Sequence, residues 1–239
     1  MMNKDQIIPK EKWCFDDKVA DCFEDMLKRS IPQYDIMRQT VFNLGTSILH
    51  KVKGRPEILD IGCSDGLSLK DYLSEYNESA YLLGIDVSDP MINKAKSRFK
   101  KNENVEILKM DLRNRFPFSK NKFSLIQSIL SIQFIPIEHR QNIIQNIYDN
   151  LRDGGGFIMV EKVLGSCSLI NNIMVDEYLS LKAKNGYTED QIDRKKLSLE
   201  GVLVPVTSDW NMDFLKQAGF IKIDRFWKWM NFEGYVAIK

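Results

Sequence analysis

The amino-acid sequence predicts an α/β protein built around an open, mostly parallel β-sheet. Between residues 57 and 161, short apolar segments alternate with segments of helical periodicity, and this alternation is typical of right-handed βαβ units. The first apolar segment, residues 57–61, leads directly into a glycine-containing turn, as expected for a buried parallel strand. Two apolar segments close together at the end of the chain predict an antiparallel pair at one edge of the sheet.

The individual elements follow from periodicity and from breaker residues. Apolar residues recur every three or four positions over residues 13–49, and Pro32 divides this stretch into two helices. The remaining predicted elements are strands at 57–61, 81–86, 105–111, 123–129, 156–161, 220–227 and 232–238, and helices at 67–76, 90–99, 140–151 and 214–218. Residues 162–210 form an insertion with helices at 170–184 and 189–199. Insertions of this size beside a binding crevice are commonly lids, substrate covers or dimer contacts.

Composition narrows the classes of function. The 239 residues contain 44% hydrophobic amino acids, enough to bury the core of a single domain. We expect that domain to consist of N-terminal helices (13–50), a cofactor-binding core (57–161), the insertion (162–210) and a C-terminal helix with a hairpin (211–239). The formal charge of +1 makes a nucleic-acid partner improbable, since such proteins usually carry a basic excess.

The N-terminal residues and the spacing of the cysteines predict a cytoplasmic protein without a bound metal. No apolar segment follows the first charged residues, and no run reaches membrane-spanning length. The four cysteines form no Cys-x-x-Cys pair and have no histidine nearby, so reduced thiols are expected. Neither motif of DNA methyltransferases, Asn/Asp-Pro-Pro-Tyr/Phe or Pro-Cys, is present.

The turn after the first strand has the spacing Asp-x-Gly-x-x-x-Gly, from Asp60 through Gly62 to Gly66. In open α/β sheets ligands bind at this crevice, and glycines let the backbone approach them. A dinucleotide fingerprint fails because Ser64 and Leu67 stand where it needs its later glycines. No Lys-Ser/Thr pair follows Gly66, which excludes a P-loop. The remaining alternatives are a site for a nucleoside that carries an amino acid and an ordinary strand-to-helix turn.

Acidic residues at the ends of the next two predicted strands favour the nucleoside site. Asp86 ends the second strand, where an acid can hold both hydroxyls of a ribose. Asp111 ends the third strand, where a carboxylate can accept from an adenine amino group. Either acid alone is more often a solvated residue, but three successive strand ends with polar residues aimed at one crevice form a more specific pattern.

These segments in this order resemble the class I S-adenosylmethionine (SAM)-dependent methyltransferases. The resemblance implies a Rossmann-like fold with a mostly parallel seven-stranded sheet, and SAM or carboxy-SAM as the cofactor. From about residue 13 to the end, the chain is more closely similar to the carboxy-SAM synthases and their homologues. The motifs that carry the closer similarity are residues 15–20, 29–34, 62–64, 133–134, 161–162 and 185–187.

The resemblance implies particular contacts. Tyr34 would reach the cofactor from the N-terminal helices, residues 62–64 would line its amino-acid part, and Asp86 would hold the ribose. Asp111 and Leu112 would flank the adenine. The full set of expected cofactor contacts is Tyr34, Asp60, Gly62, Cys63, Ser64, Asp86, Val87, Asp111 and Leu112.

Two positions depart from the pattern of the carboxy-SAM synthases. That family holds the extra carboxylate of carboxy-SAM with an arginine in the insertion, and Lys196 stands at that position here. Lysine keeps the charge but loses the bidentate fork. The family's asparagine on the fourth strand is replaced by Ile129. No residue identifies itself as the general base; the candidates are Tyr187, Glu161 and His139, the last being more often a surface histidine at such a position.

Three functions compete at this stage. The leading hypothesis is a SAM-dependent methyltransferase that acts on a small molecule by in-line transfer from the sulfonium. The first alternative is carboxy-SAM synthesis from SAM and an α-keto acid such as prephenate. The second is a non-catalytic SAM-binding module that regulates a partner. A homodimer through residues 162–210 is a further expectation.

Overall fold

The computed structural model describes residues 4–114 and 116–239. Within these residues the central sheet has the strand order β3-β2-β1-β4-β5-β8-β7, and a short β6 pairs with β5. Strands β1 to β5 are parallel to one another, whereas β8 is antiparallel to both β5 and β7. The strands are β1 (Glu57–Ile61), β2 (Tyr81–Asp86), β3 (Val105–Lys109), β4 (Phe123–Ile129), β5 (Leu151–Leu164), β6 (Val206–Thr207), β7 (Lys222–Trp229) and β8 (Phe232–Ile238).

Several helices begin at residues whose side chains cap them. Asp16 accepts from the Val19 amide, Ser88 from the Met91 amide, and Thr188 forms a capping box with Gln191. The α-helices are α1 (Asp17–Ser30), α2 (Tyr34–Leu49), α3 (Leu67–Tyr76), α4 (Asp89–Phe99), α5 (Ile137–Asn150), α6 (Ser168–Lys184), α7 (Glu189–Leu199) and α8 (Ser208–Ala218).

Both faces of the sheet are buried, which explains why its central strands are almost continuously apolar. Leu125 of β4 packs with Ile58 and Ile158 on the side that α2, α3 and α4 cover. The next residue, Ile126, packs with Phe157 on the opposite side, under α5 and α8. The carboxyl ends of β1, β2 and β4 therefore open at one edge of a three-layered core.

The predicted α/β fold is confirmed, with differences at element boundaries. Strand β3 ends at Lys109, so Asp111 lies in the following turn rather than in the strand. Strand β5 begins at Leu151 rather than at the predicted residue 156, because Leu151 already pairs with Phe123 of β4 across a register shift. Helix α8 begins at Ser208, and the two-residue β6 was not predicted. Among the described residues, no helix is both long and apolar enough to cross a membrane.

The N-terminal segment, residues 4–16, crosses from the insertion to the turns that follow β2 and β4. The Trp13 amide donates to the Ser198 carbonyl at 2.9 Å, and the Ser88 hydroxyl donates to the Phe15 carbonyl at 2.7 Å. The Phe15 ring lies 5.4 Å from that of Phe134 in an edge-to-face arrangement. We call residues 4–16 the strap, because they tie α7 to the beginning of α4.

Candidate active site

A cavity of about 530 Å³ lies at the carboxyl ends of β1, β2 and β4. Its floor is the loop 60–66 with the strand ends, and its roof is formed by the strap, α1, α6 and α7. All nine expected cofactor contacts, from Tyr34 to Leu112, line this cavity, and so do Lys196 and Ile129. A site placed at strand ends and closed by an insertion has the usual anatomy of small-molecule sites in α/β proteins.

The backbone of the loop takes a conformation that suits glycine. Gly62 has φ 70° and Gly66 has φ 78°, in the left-handed region that costs glycine nothing. A Cβ atom at Gly62 would lie 1.9 Å from the Ser131 hydroxyl oxygen, so this position also needs glycine for space. The Gly62 and Cys63 amides both donate to the Ile85 carbonyl, at 2.8 and 3.0 Å, which fixes the loop against β2.

Asp86 is held in place by three backbone amides. Its Oδ2 accepts from Ser64 at 2.9 Å, and its Oδ1 accepts from Val87 at 2.7 Å and Ser88 at 2.9 Å. Burial raises the pKa of Asp86, although these hydrogen bonds oppose the rise. These bonds take three of the about four acceptor sites of the carboxylate, so Oδ2 keeps one site for a hydroxyl group of a ligand in the cavity.

Asp60 lies at the opposite side of the loop, beside an arginine that the sequence analysis did not identify. Burial raises the pKa of Asp60 to about 7, and this rise is opposed by Arg38 and by Gln127. Arg38 lines the cavity, donates from Nη2 to Asp71 at 2.6 Å and from Nη1 to the Tyr34 hydroxyl at 3.3 Å. Its position one turn after Tyr34 on α2 was the signal that could have revealed it.

Asp111 lines the same cavity. The Arg113 Nε donates to both of its carboxylate oxygens, at 2.9 and 3.0 Å, and these bonds lower the pKa of Asp111. The carboxylate is therefore ionised and acts only as an acceptor at neutral pH. Leu112, which follows it, is buried and presents an apolar surface to the same part of the cavity.

Four lysines face the cavity from β5 and from the insertion, namely Lys162, Lys182, Lys195 and Lys196. Lys195 forms a buried ion pair with Asp5 of the strap. No carboxylate of the described residues forms an ion pair with the other three. The sequence analysis identified only Lys196, because the other three gain their position through tertiary contacts.

The three candidate general bases lie outside the cavity lining. The buried carboxylate of Glu161 accepts from the amides of Ile132 and Gln133, at 3.0 and 2.9 Å, and burial raises its pKa to about 8. The Tyr187 hydroxyl donates to Asp5 at 2.5 Å. His139 lies at the start of α5. The structure therefore gives Glu161 and Tyr187 supporting contacts and brings none of the three to the reaction space.

Comparisons with known proteins place this cavity in a family. Residues 58–155 match the model of a methyltransferase domain. The carboxy-S-adenosyl-L-methionine synthase of Methylococcus capsulatus is 34% identical over 247 aligned positions that cover all of both chains. That of Nautilia profundicola is 36% identical over 94% of each chain. The chain belongs to the carboxy-S-adenosyl-L-methionine synthase family. It is therefore a one-carbon-transferring enzyme, and the resemblance seen in the sequence is confirmed.

Solved structures agree on the fold. The carbon methyltransferase CurJ superposes with a TM-score of 0.62 at 13% identity, over 92% of this chain and 63% of that one. The YcgJ protein of Bacillus gives 0.60 at 15% identity, over 82% and 72%. At such low identity these neighbours support the Rossmann-like class I methyltransferase architecture alone.

Proposed function

We propose that this protein is a carboxy-SAM synthase, with SAM as one substrate and a small carboxylated donor as the other. The observation that carries the proposal is the position of Lys196. It lines the same cavity as the loop 60–66, where the family resemblance places the residue that holds the extra carboxylate. The full-length relatives favour this reaction over simple methyl transfer, which was the leading hypothesis from sequence.

The chain's residues provide the binding and orientation that the reaction needs. Residues 62–64 hold the amino-acid part of SAM, and the carboxylate of Asp86 holds the ribose. SAM would supply the accepting methyl carbon, which gives up a proton and forms a bond to the ring carboxyl carbon of a donor such as prephenate. The bond between that carboxyl carbon and the donor's ring would break, the ring hydroxyl would leave and form water with the released proton, and the donor would remain as the aromatic α-keto acid. Alignment of two bound reactants within one closed cavity is the main catalytic contribution of such a site.

Arg38 and Asp60 match the two charges of an amino acid. Asp60 is fully buried near the first glycine, and burial raises its pKa to about 7. A nearby ammonium group would favour the ionised form of this carboxyl group. Arg38, beside Asp60, supplies the complementary positive charge in the same cavity. This pair supports a zwitterionic ligand, in agreement with a nucleoside that carries an amino acid.

A second candidate is a SAM-dependent methyltransferase that acts on an anionic small molecule. The observation in its favour is the pair of substitutions that face the cavity, Lys196 in place of the family's arginine and Ile129 in place of its asparagine. A lysine binds a carboxylate as a point charge without the fork geometry of arginine, which weakens selection of the carboxylated product.

Mass spectrometry of the ligand released when the purified protein is denatured tests the proposal. We expect carboxy-SAM, and we expect new carboxy-SAM when the protein is incubated with SAM and prephenate. Lys196→Met should reduce the yield strongly, whereas Lys196→Arg should preserve or raise it. Release of SAM or its demethylated product only, with no carboxy-SAM formed from prephenate, would contradict carboxy-SAM synthesis and favour the methyltransferase.

A further inference from the structure

Two of the cavity lysines lie close to one aromatic ring. Lys162 of β5 places its Nζ 4.5 Å from the ring centroid of Tyr178, and Lys182 of α6 places its Nζ 5.7 Å from the same centroid. Lys182 also lies 5.1 Å from the ring of Tyr187. The Lys162 amide donates to the Gln133 side chain at 2.7 Å, which fixes the strand from which this lysine projects.

Neither amine has a carboxylate partner among the described residues, although Lys182 is only 5% exposed. Lys195 is buried to a similar degree, with 3% exposed, but its charge is neutralised within the protein because Asp5 of the strap forms an ion pair with it. Buried ammonium groups are costly without an opposite charge, and aromatic faces compensate only in part. The absence of an internal partner for this pair therefore points to an external anion.

We propose that Lys162 and Lys182 together bind the carboxylate of the donor molecule, and that this subsite takes up a proton when it is filled. The inference rests on the proposed function and assigns to the donor a subsite separate from Lys196, which faces the carboxyl group of the product. SAM brings one net positive charge into the cavity. An anionic second ligand that binds beside it would balance the charge of both SAM and the lysines.

The groups around both lysines give the reason for the proton uptake. Burial lowers the pKa of Lys162 to about 8, and Lys196 of α7 adds repulsion. Burial likewise lowers the pKa of Lys182 to about 8; Lys195, Lys162 and Arg29 add repulsion, and Asp5 opposes it. The other neighbours are the Tyr178 and Tyr187 rings, with Phe232 of β8 at 5.9 Å from Lys162.

The direction of the pH dependence follows from these contacts. A bound carboxylate stabilises the protonated amine and raises its pKa. Near pH 8 a fraction of each lysine is neutral before binding and becomes charged on binding, so protons are taken up. Above about pH 8 the donor's affinity should fall by about tenfold per pH unit for each lysine that must be protonated.

Isothermal titration calorimetry of the full chain with prephenate, in the presence of saturating S-adenosylhomocysteine, tests this inference. We expect proton uptake, measured in two buffers of different ionisation enthalpy, and an affinity that decreases above about pH 8. Lys162→Met and Lys182→Met should each weaken prephenate binding by at least about tenfold. The matched control is Lys184→Met, which removes an exposed lysine from the same helix and should leave binding unchanged.

Variants with arginine separate charge from titration, since arginine does not deprotonate in this range. Lys162→Arg and Lys182→Arg should keep prephenate binding and lose the corresponding proton uptake. Prephenate affinity within twofold of wild type in both methionine variants, with S-adenosylhomocysteine binding intact, would overturn the inference and leave the proposed function standing. If a methionine variant loses S-adenosylhomocysteine binding as well, the test rests on the arginine variants. Proton uptake in both arginine variants equal to that of the wild type would then overturn the inference. Wild-type protein that binds S-adenosylhomocysteine but not prephenate would contradict the donor in the proposed function itself.

Discussion

Substitution of Asp5 by asparagine should strongly destabilise the protein, although Asp5 lies far from the sheet core in sequence. Its carboxylate is completely buried and accepts hydrogen bonds from Lys195, from the Tyr187 hydroxyl at 2.5 Å and from the Ile7 amide at 3.0 Å. Lys195 is itself buried. Asparagine keeps the shape of Asp5 and removes its charge, so a buried ammonium loses its counter-ion.

The size of the effect follows from the burial of both partners. Loss of one partner of a buried ion pair costs about 3–5 kcal/mol, whereas replacement of both by apolar residues is often nearly neutral. Asp5→Asn and Lys195→Met should each lower the free energy of unfolding by an amount in that range. The double variant Asp5→Leu/Lys195→Met should lose much less than the sum of the two single variants, because no unpaired charge remains.

The pH dependence gives a second readout. Burial alone would raise the pKa of Asp5, but the hydrogen bonds from Lys195, Tyr187 and Ile7 outweigh it and the pKa lies below its ordinary value. A carboxyl group with a lowered pKa stabilises the fold above its unfolded pKa and loses this contribution as the pH falls through the folded value. The difference in stability between wild type and Asp5→Asn should therefore be largest near neutral pH and should shrink in acid.

Urea unfolding followed by circular dichroism measures these differences. Asp190→Asn is the matched control: it breaks an exposed pair with Arg194 at 3.8 Å, and such pairs are worth about 0–1 kcal/mol. The reasoning is refuted if Asp5→Asn costs no more than this control, or if the double variant is as unstable as the sum of the single variants.

Three further predictions concern the loop, a buried acid and the insertion. Gly62→Ala, at φ 70° and against Ser131, should abolish measurable SAM binding by calorimetry, while Gly154→Ala, with open space around it, should retain it. Burial raises the pKa of Glu161 from 4.5 to about 8, so between these values the folded state keeps a proton that the unfolded state loses. The free energy of unfolding should therefore fall as the pH rises from about 5 to about 8, and urea unfolding should show a smaller fall for Glu161→Gln than for the wild type. A homodimer through the insertion predicts that Ile173→Glu, at a position 55% exposed on α6, lowers the mass measured by light scattering, and an unchanged mass would contradict that interface.

The floor of the cavity was predictable because each of its residues lies at or just after the end of a predicted strand. Gly62 follows β1, Asp86 ends β2 and Asp111 follows β3, and the carboxyl ends of neighbouring parallel strands meet at one edge of the sheet. Helices α3 and α7 were likewise predictable to the residue, since their apolar periodicity ends at clear capping or turn residues. These elements depend on local pattern.

The roof of the cavity was not predictable by the same reasoning. Asp5 and Lys195 are 190 residues apart, and neither belongs to a motif of paired charges. Lys162 and Lys182 look like ordinary solvated lysines in the sequence, and only the fold brings both to Tyr178. The sequence suggested Glu161 and Tyr187 as general bases because of their residue types. In the structure their polar atoms already form hydrogen bonds, Glu161 with backbone amides and Tyr187 with Asp5 of the strap.

The strap links the stability of the fold to the charge of the cavity. Asp5 neutralises Lys195 and also lies close enough to Lys182 to raise its pKa. If Asp5 is removed, Lys195 either stays charged and repels Lys182 more strongly, or loses its proton to avoid the cost of burial. In the first case Lys182 becomes harder to protonate, and in the second the cavity loses a positive charge. Either outcome changes the electrostatics that the donor anion meets, so the docking of the strap and the binding of the donor are energetically coupled.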